Sequence, residues 1–265
     1  MACIAPSELM NCKADQKLTK KLQPIINFSS TEDEEITEYT DNLHENSYIV
    51  GIKEYITNRN LHLSKVISRE KRAAVLICLF EGLEGELRVI LTKRSMKLST
   101  HPGEVALPGG KMDDEDLDDS ATALREAKEE IGLKSSLVQV ITNLEPFISL
   151  HLLTVVPVVG LLSRIEEFKP VLNADEVDAI FDVPLDMFLK EENHRRVEKE
   201  YGIWKYVCHI FEYESSKPEI FRIAGLTASI LIHAASIIYQ EPPSFSEYLP
   251  DFSQLQFTLN TKDSC

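Results

Sequence analysis

The chain has 265 residues, 27% of them charged and 43% hydrophobic, with a formal net charge of −15. That length can bury one large core or two modest ones, and the mixture is that of an ordinary globular protein. So acidic a chain excludes roles that need broad basic patches, nucleic-acid binding and adhesion to anionic membranes among them. It suits a protein that recruits cations, and an anionic substrate would still need a local cluster of Lys and Arg.

Residues 1–44 lack an apolar period and carry the acidic run Glu32-Asp33-Glu34-Glu35, so a flexible N-terminal extension is expected. Its first 30 residues hold no Arg, four Lys and two acids (Glu8 and Asp15), a poor match to an Arg-rich targeting presequence. The five cysteines, Cys3, Cys12, Cys78, Cys208 and Cys265, form no C-x-x-C pair and no even disulfide framework. A reducing compartment follows: the cytoplasm, with the mitochondrion as the alternative. Residues 45–68 form a lead-in, with Tyr48, Ile49, Ile52, Tyr55 and Ile56 spaced for a docking helix, and the main domain is expected over 69–243.

Within that domain Ala73–Phe80 is a continuous apolar run of strand length, Gly82–Gly85 a turn, and Leu87–Thr92 the partner strand of a hairpin. A polar loop holding Lys93-Arg94-Ser95 and His101-Pro102-Gly103-Glu104 leads to a short strand, Val105–Leu107, and a Gly109-Gly110 turn. After a central helix, Leu137–Leu144 alternates like a strand. Leu150–Leu162 is a second apolar strand whose Pro157 implies an edge, a bulge or a break. Glu176–Phe181 with Val183–Leu189 reads as a short helical segment, Tyr206–Tyr213 and Glu219–Ile223 as strands, and Leu226–Tyr239 as a buried helix. The last is interrupted by Thr227, Ser229, His233 and Ser236 and falls short of a membrane span. Residues 244–265 read as an irregular tail.

The central helix, Leu117–Leu133, carries the chemistry. At ~100° per residue, Glu126, Glu129 and Glu130 share an arc of roughly 100°, with Leu117, Leu124, Ala127 and Ile131 opposite. Asp118, Asp119 or Ser120 can cap its start and Gly132 its end. Three acids at i, i+3 and i+4 repel one another, and a divalent cation turns that repulsion into a binding site, since hard cations take oxygen ligands. A solvated acidic face is the alternative reading. One turn earlier on the same face, the small side chains of Thr122 and Ala123 would leave room for metal and phosphate, or Ala123 is there for helix propensity alone.

The run Gly109-Gly110, spacer, Arg125-Glu126-Ala127-x-Glu129-Glu130-x-Gly132-Leu133 resembles the signature box of the Nudix hydrolases. The spacer is one residue longer than the standard box, and Asp116, nearest the early acidic position, is left outside the metal set. The leader Leu91-Thr92-Lys93-Arg94-Ser95, His101, Gly103-Glu104-Val105 and Pro108-Gly109-Gly110 is similar to the coenzyme A diphosphatase branch of that family, nearest in pattern to its plant members. From about Lys71 to Pro243 the likeness takes in Leu144-Glu145-Pro146-Phe147, Asp175-Glu176-Val177 and Gly225-Leu226-Thr227-Ala228.

The resemblance implies an α/β fold, a Nudix-type α/β/α sandwich with a mixed central sheet. It implies a Mg²⁺- or Mn²⁺-dependent diphosphatase, with Glu126, Glu129 and Glu130 holding metal, and Glu129, Glu130 and Arg125 as catalytic residues. Which carboxylate is the base stays open. Lys93, Arg94, His101, Gly109 and Gly110 are the substrate-binding candidates, with Lys97, Glu104 and His151 weaker ones. Arg125 would brace the loop or a box carboxylate, and His101 would brace the loop against Glu104. The substrate implied is coenzyme A or acyl-CoA, with another nucleoside diphosphate derivative (ADP-ribose or NADH), or a non-hydrolytic binding module, as alternatives. No macromolecular partner is implied beyond a homodimer, and no P-loop, G-x-S-x-G elbow or H-E-x-x-H helix is present.

Overall fold

Strand β1 (Arg72–Glu81) sorts its side chains by parity onto two cores. Ala73, Ile77 and Leu79 join one, and Ala74, Leu76, Cys78 and Phe80 the other. Alternation of this kind with apolar residues on both faces belongs to a strand covered on both sides. The computed structural model describes Leu22 and residues 72–149, 153–201, 204–215 and 219–245. The expected lead-in at 45–68, the rest of the N-terminal extension, His151 and the tail beyond Phe245 lie outside the described residues.

β2 (Leu87–Arg94) pairs antiparallel with the far end of β1, and β3 (Val105–Ala106) and β4 (Gly109–Lys111) wedge between the two strands where they splay. β5 (Gln139–Asn143) and β6 (Phe147–Ile148) flank β7 (Thr154–Leu161), which runs parallel to β1, and β8 (Val177–Pro184) covers the outer edge of β2. One parallel pair among antiparallel ones makes the sheet mixed. Helix α1 (Asp119–Ile131) sets Ala123, Ala127 and Ile131 into one core. Helix α2 (Gly225–Tyr239) sets Ile230, Leu231, Ala234 and Ile238 into the other. The result is the expected α/β/α sandwich. A second sheet of β9 (His194–Tyr201), β10 (Trp204–Glu214) and β11 (Ile220–Ala224) packs alongside, with Phe221 stacked on Phe181 of β8 at 3.7 Å. Among the described residues no helix is long and apolar enough to cross a membrane.

Several expectations are corrected. Of the stretch read as helical from Glu176 to Leu189, Leu185–Leu189 is a short 3-10 helix as expected, but Val177–Pro184 is strand β8, whose Val177, Ala179, Phe181 and Val183 recur every second residue along β2. The Gly109-Gly110 turn is strand β4 against β1. β9 was unforeseen because its sequence, HRRVEKEY, has almost no apolar alternation. Pro157 lies in a fully buried central strand, just past the end of β5, where its carbonyl accepts Leu144 N–H at 2.8 Å. Leu117, expected on the core face of the central helix, precedes the cap and is 93% exposed.

Two buried residues come from segments expected outside the domain. Leu22 is fully buried in the larger core, and Phe245 packs there with its ring 3.8 Å from that of His194. Leu22→Ala is therefore expected to destabilise the full chain by about 2–5 kcal/mol in urea denaturation; a change under about 0.5 kcal/mol would mean that the leucine adds nothing to the core.

Candidate active site

Helix α1 is held at both ends. Asp118 caps it by accepting the Ala121 N–H at 2.8 Å, and Arg72 on β1 grips Asp119 with two hydrogen bonds of 2.6 and 2.7 Å. At the other end Gly132 takes a left-handed conformation (φ +72°) that lets its N–H reach Lys128 O and Leu133 N–H reach Ala127 O. The apolar stripe buries and turns the acidic stripe toward the wedge of β3 and β4.

The three acids are not equivalent. Glu130 is buried, Glu126 is mostly covered, and Glu129 is exposed. Gly109 donates its N–H to Glu130 Oε2 at 3.2 Å, and at Gly110 a Cβ would stand 2.5–2.6 Å from the Glu126 carboxylate. The two glycines thus give the acids their room; Gly109 itself sits at φ +153° against the β1 backbone, where only glycine fits. Burial, reinforced by the negative charges of Glu126 and Glu176, pushes the Glu130 carboxyl up to about 7 against the Gly109 N–H and Arg94. Burial raises Glu126 as well, opposed by Arg125.

Arg125 ties the acids to the loop. Its Nε and Nη2 donate to the two oxygens of Asp116 at 2.9 Å each, Nη2 also to Lys111 O at 3.0 Å, and Nη1 to Glu126 at 3.0 Å and Glu129 at 3.1 Å. Asp116 is 5% exposed; it also accepts from Thr122 Oγ1 and Asp113 N–H, and the Arg125 guanidinium holds its carboxyl far below the usual carboxylate range. Thr122 and Ala123, expected to leave space for ligand, are instead fully buried, Thr122 on Asp116 and Ala123 in the core. They share the acids' side of the helix, but the loop at Asp116 covers the one and the core encloses the other.

The basic candidates divide. Arg94, at the end of β2, bears on Glu130, and its buried Nε has no hydrogen-bond partner among the described residues. Lys93 is brought elsewhere, its Nζ 2.8 Å from Glu219 beside β11, so an anion would have to compete for it. Lys97 pairs on the surface with Asp175 at 2.8 Å. His101 and Glu104 pair at 2.9 Å, and the loop they brace is joined to Arg94 through backbone bonds from Arg94 N to Glu104 O and Gly103 N to Arg94 O. Glu176, just before β8, was not expected at the site, yet its negative charge bears on Glu126 and Glu130.

No three His, Cys, Asp or Glu side chains among the described residues stand gathered in ligating geometry. The donor chemistry nonetheless suits a hard divalent cation: carboxylate oxygens on adjacent turns, raised by burial and by each other, with the glycine strand opposite.

Comparison with known proteins accords with this layout. The family described as the NUDIX domain matches residues 70–204. The chain is 59% identical over 184 residues to Nudix hydrolase 15, mitochondrial, of Arabidopsis thaliana, covering 69% of this chain and 64% of that relative's length. It is 47% identical over 240 residues to Nudix hydrolase 22, chloroplastic, of the same plant, covering 91% of this chain and 77% of the relative. It is 38% identical over 180 residues to the peroxisomal coenzyme A diphosphatase NUDT7 of Mus musculus, covering 68% and 75%.

Proposed function

Because this chain belongs to the Nudix family, we propose that it is a hydrolase of diphosphate bonds whose substrate is coenzyme A or an acyl-CoA. The observation that carries the hydrolytic reading is the pairing of buried Glu130 with Glu126 beneath Gly109-Gly110, with Arg94 alongside. The coenzyme A substrate is supported by the leader from Leu91 to Gly110 and by the name of the mouse relative. In the reaction, water adds to one phosphorus and the bond from that phosphorus to the bridging oxygen breaks. The products are 3′,5′-ADP and (acyl-)4′-phosphopantetheine.

Glu126, Glu129 and Glu130 would hold Mg²⁺ or Mn²⁺. The metal, when bound, neutralises charge on the diphosphate oxygens and lowers the pKa of a water. Arg125 fixes Glu126 and Glu129 while Asp116 fixes Arg125, so the acids keep their places without covalent help. Arg94, with a buried donor to offer, suits a phosphate oxygen. Gly109 and Gly110 let the backbone come close to the same group.

The deciding experiment is product identification from coenzyme A with and without Mg²⁺. Release of 3′,5′-ADP only with metal supports the reading. No product from coenzyme A, with AMP from ADP-ribose instead, would move the substrate elsewhere in the family, and no product from either would favour a binding module. Gly110→Ala displaces the Glu126 carboxylate and is expected to lower the rate by about 10²-fold at little loss of melting temperature. A wild-type rate would show that Glu126 has slack.

We hold the homodimer as a proposal for sizing chromatography. For location, the name of the 59%-identical Arabidopsis relative favours the mitochondrion over the cytoplasm, and imaging a fluorescent fusion of the full chain decides.

A further inference from the structure

The end of β2 carries two cations in succession, and strand alternation sends them to opposite faces of the sheet. Ile90 belongs to the core under α1 and Leu91 to the core under α2. Arg94, in phase with Ile90, bears on Glu130; Lys93, in phase with Leu91, reaches Glu219, its Nζ 2.8 Å from the carboxylate. Glu219 directly precedes β11 and is in phase with Phe221 and Ile223, both buried, so it is turned toward the main sheet. Its carbonyl accepts Ser215 N–H at 3.1 Å, closing the hairpin between β10 and β11.

The pair is half open to water, with the two side chains 32% and 43% exposed, and an ion pair so exposed adds little to stability. The two sheets are joined without it, by the Phe181–Phe221 stack and by Arg88, which donates to Asp182 and to Tyr213. What the pair changes is charge. In a chain of net charge −15 a lysine beside the site is a scarce cation, and Glu219 cancels it. A phosphate monoester carries nearly two negative charges at neutral pH and outcompetes a single carboxylate for an ammonium. A ligand with only a hydroxyl at that place has nothing to exchange for Glu219. The pair therefore opens readily for the one and stays closed for the other.

Resting on the hydrolase reading above, we propose that Glu219 is a specificity-determining residue, a displaceable carboxylate that occupies Lys93 until a phosphate monoester of the substrate, separate from the diphosphate that is cut, takes its place. In coenzyme A that group is the 3′-phosphate. Arg94 and the box acids serve the diphosphate on one face of the end of β2, and Lys93 serves the second phosphate from the other. Glu219 acts through Lys93 and touches no reacting atom.

The test compares coenzyme A with its 3′-dephospho form on the full chain, each followed by release of 4′-phosphopantetheine, which both yield. Glu219→Gln frees Lys93 and is expected to lower KM for coenzyme A by about 3–5-fold, the size of effect of a half-exposed ion pair. Its kcat and its KM for the dephospho form should stay level. Glu219→Ala should do the same, and it stands in for the glutamine variant should the amide hold Lys93. Lys93→Gln should raise KM for coenzyme A by roughly 10-fold and erase the preference over the dephospho form. Asp186→Asn makes the same change in net charge beyond the other end of β2, where Asp186 pairs with Lys190, and should leave both KM values as they were. Equal shifts for the two substrates in the Glu219 variants, or no shift for either, with the wild type still cleaving coenzyme A, overturn the proposal and leave the hydrolase reading standing. Cleavage of neither substrate by the wild type overturns the coenzyme A reading and the proposal with it.

Discussion

Glu130→Gln is expected to lower diphosphate hydrolysis by about 10²–10⁴-fold while making the metal-free protein more stable at pH 8. The two effects have one origin. Glu130 is 5% exposed and its carboxyl is pushed up to about 7 by burial. A folded value above the unfolded one means that the folded chain holds the proton more tightly. Stability from this group is therefore complete below about pH 4.5 and is lost as pH rises through about 7. At pH 8 the charged, buried carboxylate is a liability of roughly 3 kcal/mol. Glutamine keeps the shape and can still accept the Gly109 N–H, but carries no charge. Urea denaturation in chelator should show the variant gaining on the wild type between pH 5 and pH 8. A stability difference that does not change with pH would refute the burial account, and a wild-type rate at saturating Mg²⁺ would refute the metal assignment.

Arg125→Ala should act in the opposite direction on stability, costing about 3–5 kcal/mol at pH 7, because it leaves a buried carboxylate without its cation. Asp116 is 5% exposed and would keep Thr122 Oγ1 and the Asp113 N–H but lose the guanidinium. Its folded carboxyl is held below the usual range, so its contribution is present above about pH 4 and disappears as pH falls through the folded value. The gap between wild type and variant should narrow in acid, which denaturation at pH 7 and pH 3 would show. Activity should fall as well, since Glu126 and Glu129 lose the same guanidinium. Lysine cannot restore the paired bonds to Asp116, so Arg125→Lys should recover little. Full recovery by lysine would mean that charge alone matters at this position.

The signs that survive translation into three dimensions are local and periodic. The α1 acids, the Gly132 cap and the hairpin around Gly82–Gly85 all follow from spacing within a few residues, and each stands where its spacing puts it. Spacing misleads where two periods compete: Glu176–Phe181 mixes acids with apolar residues, and only pairing with β2 makes its alternation of two decisive. The fates of Lys93 and Thr122 were equally out of reach, because Glu219 and Asp116, their partners, are set by sheet packing and by the loop that closes on Arg125.

By itself the sequence determined the composition of the site: three carboxylates on one helical face, a glycine pair before them, and an arginine between. Helical phase and the special conformations of glycine are properties of the local chain. The tertiary structure alone decided how these acids differ. Burial under β4 raises Glu130 while solvent reaches Glu129, Asp116 serves Arg125, and the charge of Glu176, just before β8, bears on Glu126 and Glu130. Burial and charge depend on what the rest of the chain lays over each residue, and no local period encodes that.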